Sequence, residues 1–198
     1  MIMVTVKHHD GFELYDSRYN TEHDWANTAV AKRTGEKDLF RKIVASAKKY
    51  GLKVGIYYSP ADSYMEKKGV WGNGSARVER TIPTLVENDD RADKVASGKL
   101  PTFKYKATEY GAYMLNQLYE LLTEYCDSSE VWFDGAQGNT AGTEHYDYGV
   151  FYKMIRQRQP QAIQANAAYD ARWVGNEDGW ARQTEWSPQA AYNDGVDK

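Results

Sequence analysis

Glu36 to Tyr58 reads EKDLFRKIVASAKKYGLKVGIYY and contains a helix, its stop and a buried strand in direct succession. Leu39, Phe40, Ile43, Val44 and Ala47 recur at the spacing of one helical face. Acidic residues open the segment, Lys48 and Lys49 close it, and Gly51 follows. That order matches the charge preference of the two helix ends and the glycine that ends a helix. Leu52–Tyr58 then has the short apolar run of a buried strand, and Pro60 stops it.

Working outward, the same alternation recurs. Met1–Lys7 is a β-branched apolar run ending in His8-His9-Asp10. Ala107–Tyr125 is a long helix with Tyr110, Tyr113, Met114, Leu118, Leu121, Leu122 and Tyr125 on one stripe. Glu130–Phe133 is a third strand, Tyr148–Gln159 a third helix closed by Pro160, and Ala162–Asn166 a fourth strand. Strand–helix–strand alternation with short buried strands implies a parallel sheet with right-handed crossovers. An open doubly wound sheet and a (β/α)8 barrel both satisfy this. No strand leads into a Gly-rich phosphate turn. Each strand instead ends in polar or aromatic groups: His8 and His9, Tyr57 and Tyr58, Asp134, and Asn166. Barrel enzymes build their sites from such strand ends, which favours a TIM barrel.

Four strands make half of an eight-stranded barrel, so the expectation over 1–198 is one α/β unit, a partial (β/α)8 barrel incomplete at both ends. Residues 61–106 lack a clear period and are rich in Gly, Asn, Asp and Lys. They are expected to form a long loop insertion on the substrate rim. Within them Asn73-Gly74-Ser75 matches a glycosylation triplet, a pattern that also arises by chance.

Composition narrows the partners. The 198 residues carry a net charge of −3, which gives no reason to expect nucleic acid or an anionic membrane. No run approaches the roughly 18 apolar residues of a membrane span. Cys126 is the single cysteine and cannot form an internal disulfide. It ends an apolar helical stripe, the setting of a buried, inert thiol. Met1–Val6 reads as a strand, with no signal peptide visible. Sixteen Tyr and six Trp are a weak pointer to carbohydrate, because aromatic faces stack on sugar rings but also fill ordinary cores.

Three segments carry candidate chemistry. In Val131-Trp132-Phe133-Asp134-Gly135-Ala136 a carboxylate ends a buried strand, where desolvation is costly unless the charge is used or paired. A cap on a following helix is the alternative role. In Arg172-Trp173-Val174-Gly175-Asn176-Glu177-Asp178-Gly179, Glu177 lies beside Trp173 and Trp180, and an apolar wall there would raise its pKa toward that of a general acid. Spacing alone equally fits a solvated loop carboxylate. In Lys7-His8-His9-Asp10-Gly11-Phe12 the adjacent histidines, read as part of a strand, point to opposite faces and so rarely share one metal, which leaves a metal site as a minor alternative. Their rim position allows at least one of them to donate hydrogen bonds to a ligand hydroxyl. His23 and His145 read as surface or loop residues. Two carboxylates on the same barrel face, aromatic walls and neutral polar donors fit glycoside hydrolysis.

These segments are recognisable together. Lys7-His8-His9-Asp10-Gly11-Phe12, Gly51-Leu52-Lys53-Val54-Gly55-Ile56-Tyr57-Tyr58-Ser59-Pro60 and Val131-Trp132-Phe133-Asp134-Gly135 resemble, in the same order, glycoside hydrolase family 29, the retaining α-L-fucosidases. The resemblance implies Asp134 as nucleophile, His8 and His9 as ligands of fucose hydroxyls, and Tyr57 or Tyr58 with Trp132 lining the sugar. Arg172–Glu177 is similar to the subgroup acting on branched α-1,3/1,4-linked fucose, which implies Glu177 as acid/base and Arg172 near the reaction centre. The implied partner is a fucosylated oligosaccharide or glycoconjugate, with no cofactor and no metal. Family members are commonly secreted, periplasmic or lysosomal. They also carry an earlier strand with a further sugar-binding histidine, and later strands that close the barrel. Two other functions fit the same residues. One is a catalytically silent, fucose-binding piece of such a barrel. The other is a metal-dependent barrel hydrolase using His8, His9 and Asp134.

Overall fold

The computed structural model of the 198-residue chain describes residues 1–134, 144–166 and 170–171. Its elements run β1 (Ile2–Lys7), α1 (Ala29–Thr34), α2 (Leu39–Lys49), β2 (Val54–Tyr58), α3 (Ser63–Lys67), β3 (Val78–Ile82), α4 (Ala92–Ala96), β4 (Phe103–Ala107), α5 (Glu109–Glu120), β5 (Ser128–Phe133), α6 (Tyr148–Arg158) and β6 (Ile163–Asn166). One four-stranded sheet has the order β1-β2-β5-β6, and every pairing in it is parallel. A helix separates each successive pair of its strands: α2, then α5, then α6. The expected parallel α/β fold is therefore present.

Local chemistry explains the element ends. Asp38 caps α2, its carboxylate accepting from the Arg41 N–H at 2.9 Å. Lys48 and Lys49 sit in the last turn of α2, and Gly51 takes a left-handed φ of 66° that ends the helix. Thr108 caps α5, accepting from the Gly111 N–H at 2.9 Å. The helix expected over Ala107–Tyr125 is shorter as an α-helix, and its last turn, Leu121–Tyr125, is π-wound.

The sheet has two unlike faces, because strand side chains alternate. Val4, Val6, Ile56, Tyr58, Val131 and Phe133 are buried and join Phe40 of α2, Met114 and Leu118 of α5, and Phe151 and Ile155 of α6 in one core. Met3, Thr5, Tyr57, Trp132 and Ile163 face the other way and are half-buried or exposed. On this side Met3 lies over Gly55, where an added Cβ would meet the Met3 methyl at 2.8 Å.

The stretch 61–106 is not a bare loop. It carries α3, the antiparallel pair β3–β4, and α4. Only Ile82 of β3 is buried, so the strand shows little of the apolar alternation that would reveal it in the sequence. Arg91, in the same stretch, is buried, donating to both carboxylate oxygens of Asp89 at 2.9 and 2.8 Å and to the Tyr19 hydroxyl at 2.7 Å. Among the described residues no helix is long and apolar enough to cross a membrane.

Candidate active site

Parallel strands deliver their carboxyl ends to one edge of the sheet, and the sequence motifs meet there. Asp134 follows β5 directly, and its N–H donates to the Tyr58 carbonyl at 3.2 Å, extending the β2–β5 ladder by one bond. Tyr57 lies in register with Trp132 on the open face. Its hydroxyl donates to Oδ2 of Asp134 at 2.6 Å, a short, charge-assisted bond. The His8 ring stacks on Tyr57 with centroids 5.7 Å apart and planes 4° apart.

The two histidines are not on opposite faces, as a continuing strand would require. β1 ends at Lys7, and the chain then turns, with the Gly11 N–H donating to the His8 carbonyl at 2.9 Å. The His8 and His9 centroids consequently lie 4.1 Å apart. Burial, and secondarily the His8 ring, lower the His9 pKa, with Asp134 opposing them. His9 is thereby held neutral near neutral pH. Nδ1 of His9 lies 2.6 Å from the Ser59 hydroxyl.

Tyr58, carried from the sequence as a second candidate sugar ligand, is a core residue instead. It is fully buried, its hydroxyl donates to Oε1 of Gln117 at 2.6 Å, and its ring meets Phe133 edge-on. The alternation of β2 puts Tyr57 on the site side and Tyr58 on the helix side. Trp132, half-buried, shares the face of Tyr57. Arg172 and Glu177, with the neighbouring Trp173 and Trp180, lie outside the described residues.

Beneath the rim is a polar layer that the sequence motifs did not announce. Lys7 is fully buried, and its ammonium donates to Asp62 at 2.8 Å and to the Tyr110 hydroxyl at 2.9 Å. Tyr110 in turn donates to the Pro60 carbonyl at 2.8 Å. The other Asp62 oxygen accepts from the Met65 N–H at 2.9 Å, capping α3. Gly11 fits against this carboxylate because it has no side chain: a Cβ there would stand 2.2 Å from Oδ1 of Asp62, and its φ is 78°. The loop after β1 is thus locked to the loop after β2. Deeper still, Oε1 of Glu13 accepts from Tyr113 at 2.7 Å, from Asn20 at 3.0 Å and from Gln117. Burial raises the Glu13 carboxyl to about 8. These partners are far apart in sequence, so no local pattern could have shown them.

The arrangement offers one carboxylate fixed at a strand end, a pair of imidazole rings beside it, and half-buried aromatic rings on the same face. Among the described residues no group of three or more His, Cys, Asp or Glu is placed to hold a metal ion.

Comparison with known proteins points the same way. The chain is 31% identical over 187 residues to alpha-L-fucosidase 1 of Arabidopsis thaliana, covering 94% of this chain and 29% of that protein. A provisionally named alpha-L-fucosidase from Bacteroides ovatus superposes with a TM-score of 0.67 at 32% identity, over 92% of this chain and 25% of that one. A Ruminococcus gnavus family 29 fucosidase solved in complex with fucose gives 0.61 at 26% identity, over 93% and 35%. The chain therefore spans under a third of the curated relative's length. Residues 1–192 match the family model for alpha-L-fucosidases. With the family's motifs brought to one sheet edge and the match running nearly end to end, the chain belongs to the alpha-L-fucosidase family.

Proposed function

We propose that this chain supplies the nucleophile-bearing part of a retaining α-L-fucosidase, in which β1, β2, β5 and β6 form half of a (β/α)8 barrel with Tyr57, Trp132 and Asp134 facing inward. The observation that carries the reading is the Asp134 carboxylate, held at the carboxyl end of β5 by the Tyr57 hydroxyl and flanked by the His8–His9 pair. Fucose bound to a family 29 relative supports the same sugar as ligand here.

In the proposed reaction an Asp134 oxygen attacks the anomeric carbon as the glycosidic C–O bond breaks. Glu177 gives its proton to the departing oxygen. A water, losing a proton to Glu177, then displaces Asp134 and releases fucose with its configuration retained. Retaining enzymes hold the two carboxyl groups about 5–5.5 Å apart, and that separation is required of Asp134 and Glu177. The histidines bind fucose hydroxyls, and Trp132 and Tyr57 line the sugar. The similarity of Arg172–Glu177 to one subgroup supports branched α-1,3/1,4-linked fucose as substrate.

The test is fucose release from a branched α-1,3/1,4-fucosylated oligosaccharide beside an α-1,2-fucosylated one. Release from the branched substrate is expected. Release only from the α-1,2 substrate would overturn the subgroup, and Glu177 with it. Measurable binding of fucose without release from either would favour the silent, sugar-binding function.

A further inference from the structure

Ser59 follows β2 directly, and its hydroxyl makes two contacts. It lies 2.6 Å from Nδ1 of His9, and it donates to the Ala61 carbonyl at 2.9 Å. A serine hydroxyl has a single hydrogen, and a carbonyl oxygen only accepts. With that hydrogen committed to Ala61, the Ser59 oxygen must accept from His9, which places a proton on Nδ1. Neutral imidazole carries one N–H, so Nε2 keeps its lone pair.

We infer that Ser59 is a positioning residue that fixes His9 in its Nδ1–H form, so that His9 meets its ligand as a hydrogen-bond acceptor and selects a hydroxyl that donates. The ligand half of this inference rests on the reading of His9 as a sugar contact, whereas the tautomer does not. Three observations support it. Ser59 is fully buried, so water does not compete for its oxygen. The Ser63 N–H donates to the His9 carbonyl at 2.9 Å, fixing the backbone that carries the ring. Nε2 has no hydrogen-bond partner among the described residues.

The charged neighbours are also consistent. Burial, His8 and Lys7 disfavour a second proton on His9, against Asp134 and Asp10, and the balance favours the neutral ring. A neutral acceptor suits a polyol, whose hydroxyls all carry a hydrogen. It does not suit a carboxylate or phosphate oxygen, which would confront a lone pair with another.

Imidazole nitrogen NMR of the 198-residue chain, recorded above pH 8, reads the tautomer without turnover. The expected spectrum has Nδ1 of His9 pyrrole-like and Nε2 pyridine-like; the reverse, or an even mixture, would overturn the inference. Ser59→Ala should turn the single pattern into a mixture and weaken fucose binding roughly five- to tenfold, the scale of one lost hydrogen bond, with KM affected more than kcat. Ser59→Thr, which keeps the hydroxyl, should restore the native pattern. Deoxyfluoro-fucoses test the ligand half, because fluorine cannot donate. One of them should bind as weakly as the matching deoxy sugar, and that loss should vanish in His9→Ala; fluoro sugars that all bind like fucose would contradict it. The expected tautomer in a chain that does not bind fucose would overturn the ligand half together with the fucosidase reading, and leave the positioning of His9 standing.

Discussion

Two tyrosines adjacent in sequence, Tyr57 and Tyr58, divide the molecule into its two working regions. Tyr58 and its register partner Phe133 face the helices, are fully buried and belong to the packed core. Tyr57 and its partner Trp132 face the open side, where the hydroxyl of Tyr57 is spent on a carboxylate. The same contrast recurs between Phe133 and Asp134. One face of the sheet is built for burial and sets stability, while the other presents polar groups at the strand ends and sets chemistry. Side chains one residue apart should therefore fail in different assays.

Replacing Asp134 by Ala should produce the largest effect on the open side. Turnover should fall by a factor of roughly 10⁴ or more, the scale seen when a nucleophile is removed, while the thermal midpoint stays near that of the parent chain. Ordinary activity in this variant would break the assignment of the open face. One residue earlier, Phe133→Ala should act in the opposite way. Loss of a buried ring costs about 3–5 kcal/mol, read as a lower midpoint in urea with an unchanged slope. A near-neutral result would mean that the helix-side face is not the core.

Glu13 sharpens the comparison by pH. Its carboxyl titrates at about 8 in the folded chain, against 4.5 when unperturbed. Between those values the folded state holds a proton that the unfolded state has lost. The stabilising contribution is whole below pH 4.5 and declines as pH rises through 8, by an amount on the order of a few kcal/mol. Denaturant titrations from pH 5 to 9 should show this decline, and Glu13→Gln should flatten it. A slope unchanged in the variant would assign the effect elsewhere. Tyr57→Phe should have the smallest effect. Losing the single bond to Asp134 should lower kcat about tenfold, with little change in stability. A large loss of stability would move Tyr57 to the core side of the comparison.

Much of this was legible in the sequence, and the exceptions have physical causes. The four sheet strands and their three crossover helices were readable because apolar periodicity, caps and Gly51 agree locally. Asp134 was readable as a carboxylate at a strand end. Which of Tyr57 and Tyr58 faces the site was not, because both rings suit either environment and packing against Gln117 and Phe133 decides it. The histidine pair was misplaced by extending β1 past Lys7, where the turn stabilised by Gly11 begins. The pair β3–β4 escaped notice because exposed strands need no apolar alternation. Lys7 and Ser59 lie within the family motifs and Asp62 and Glu13 outside them, but nothing local names the partners of any of the four, which come together only through the parallel topology.

The most direct test of the central claim is to trap the fucosyl-enzyme. Incubation with a 2-deoxy-2-fluoro-fucosyl fluoride, which slows release of the sugar from its carboxylate, followed by peptide mass mapping, reads the nucleophile itself. The account predicts one added fluorofucosyl group on the peptide containing Asp134, absent from Asp134→Ala. A label on another carboxylate, or hydrolysis that inverts the anomeric centre with no label at all, would contradict it.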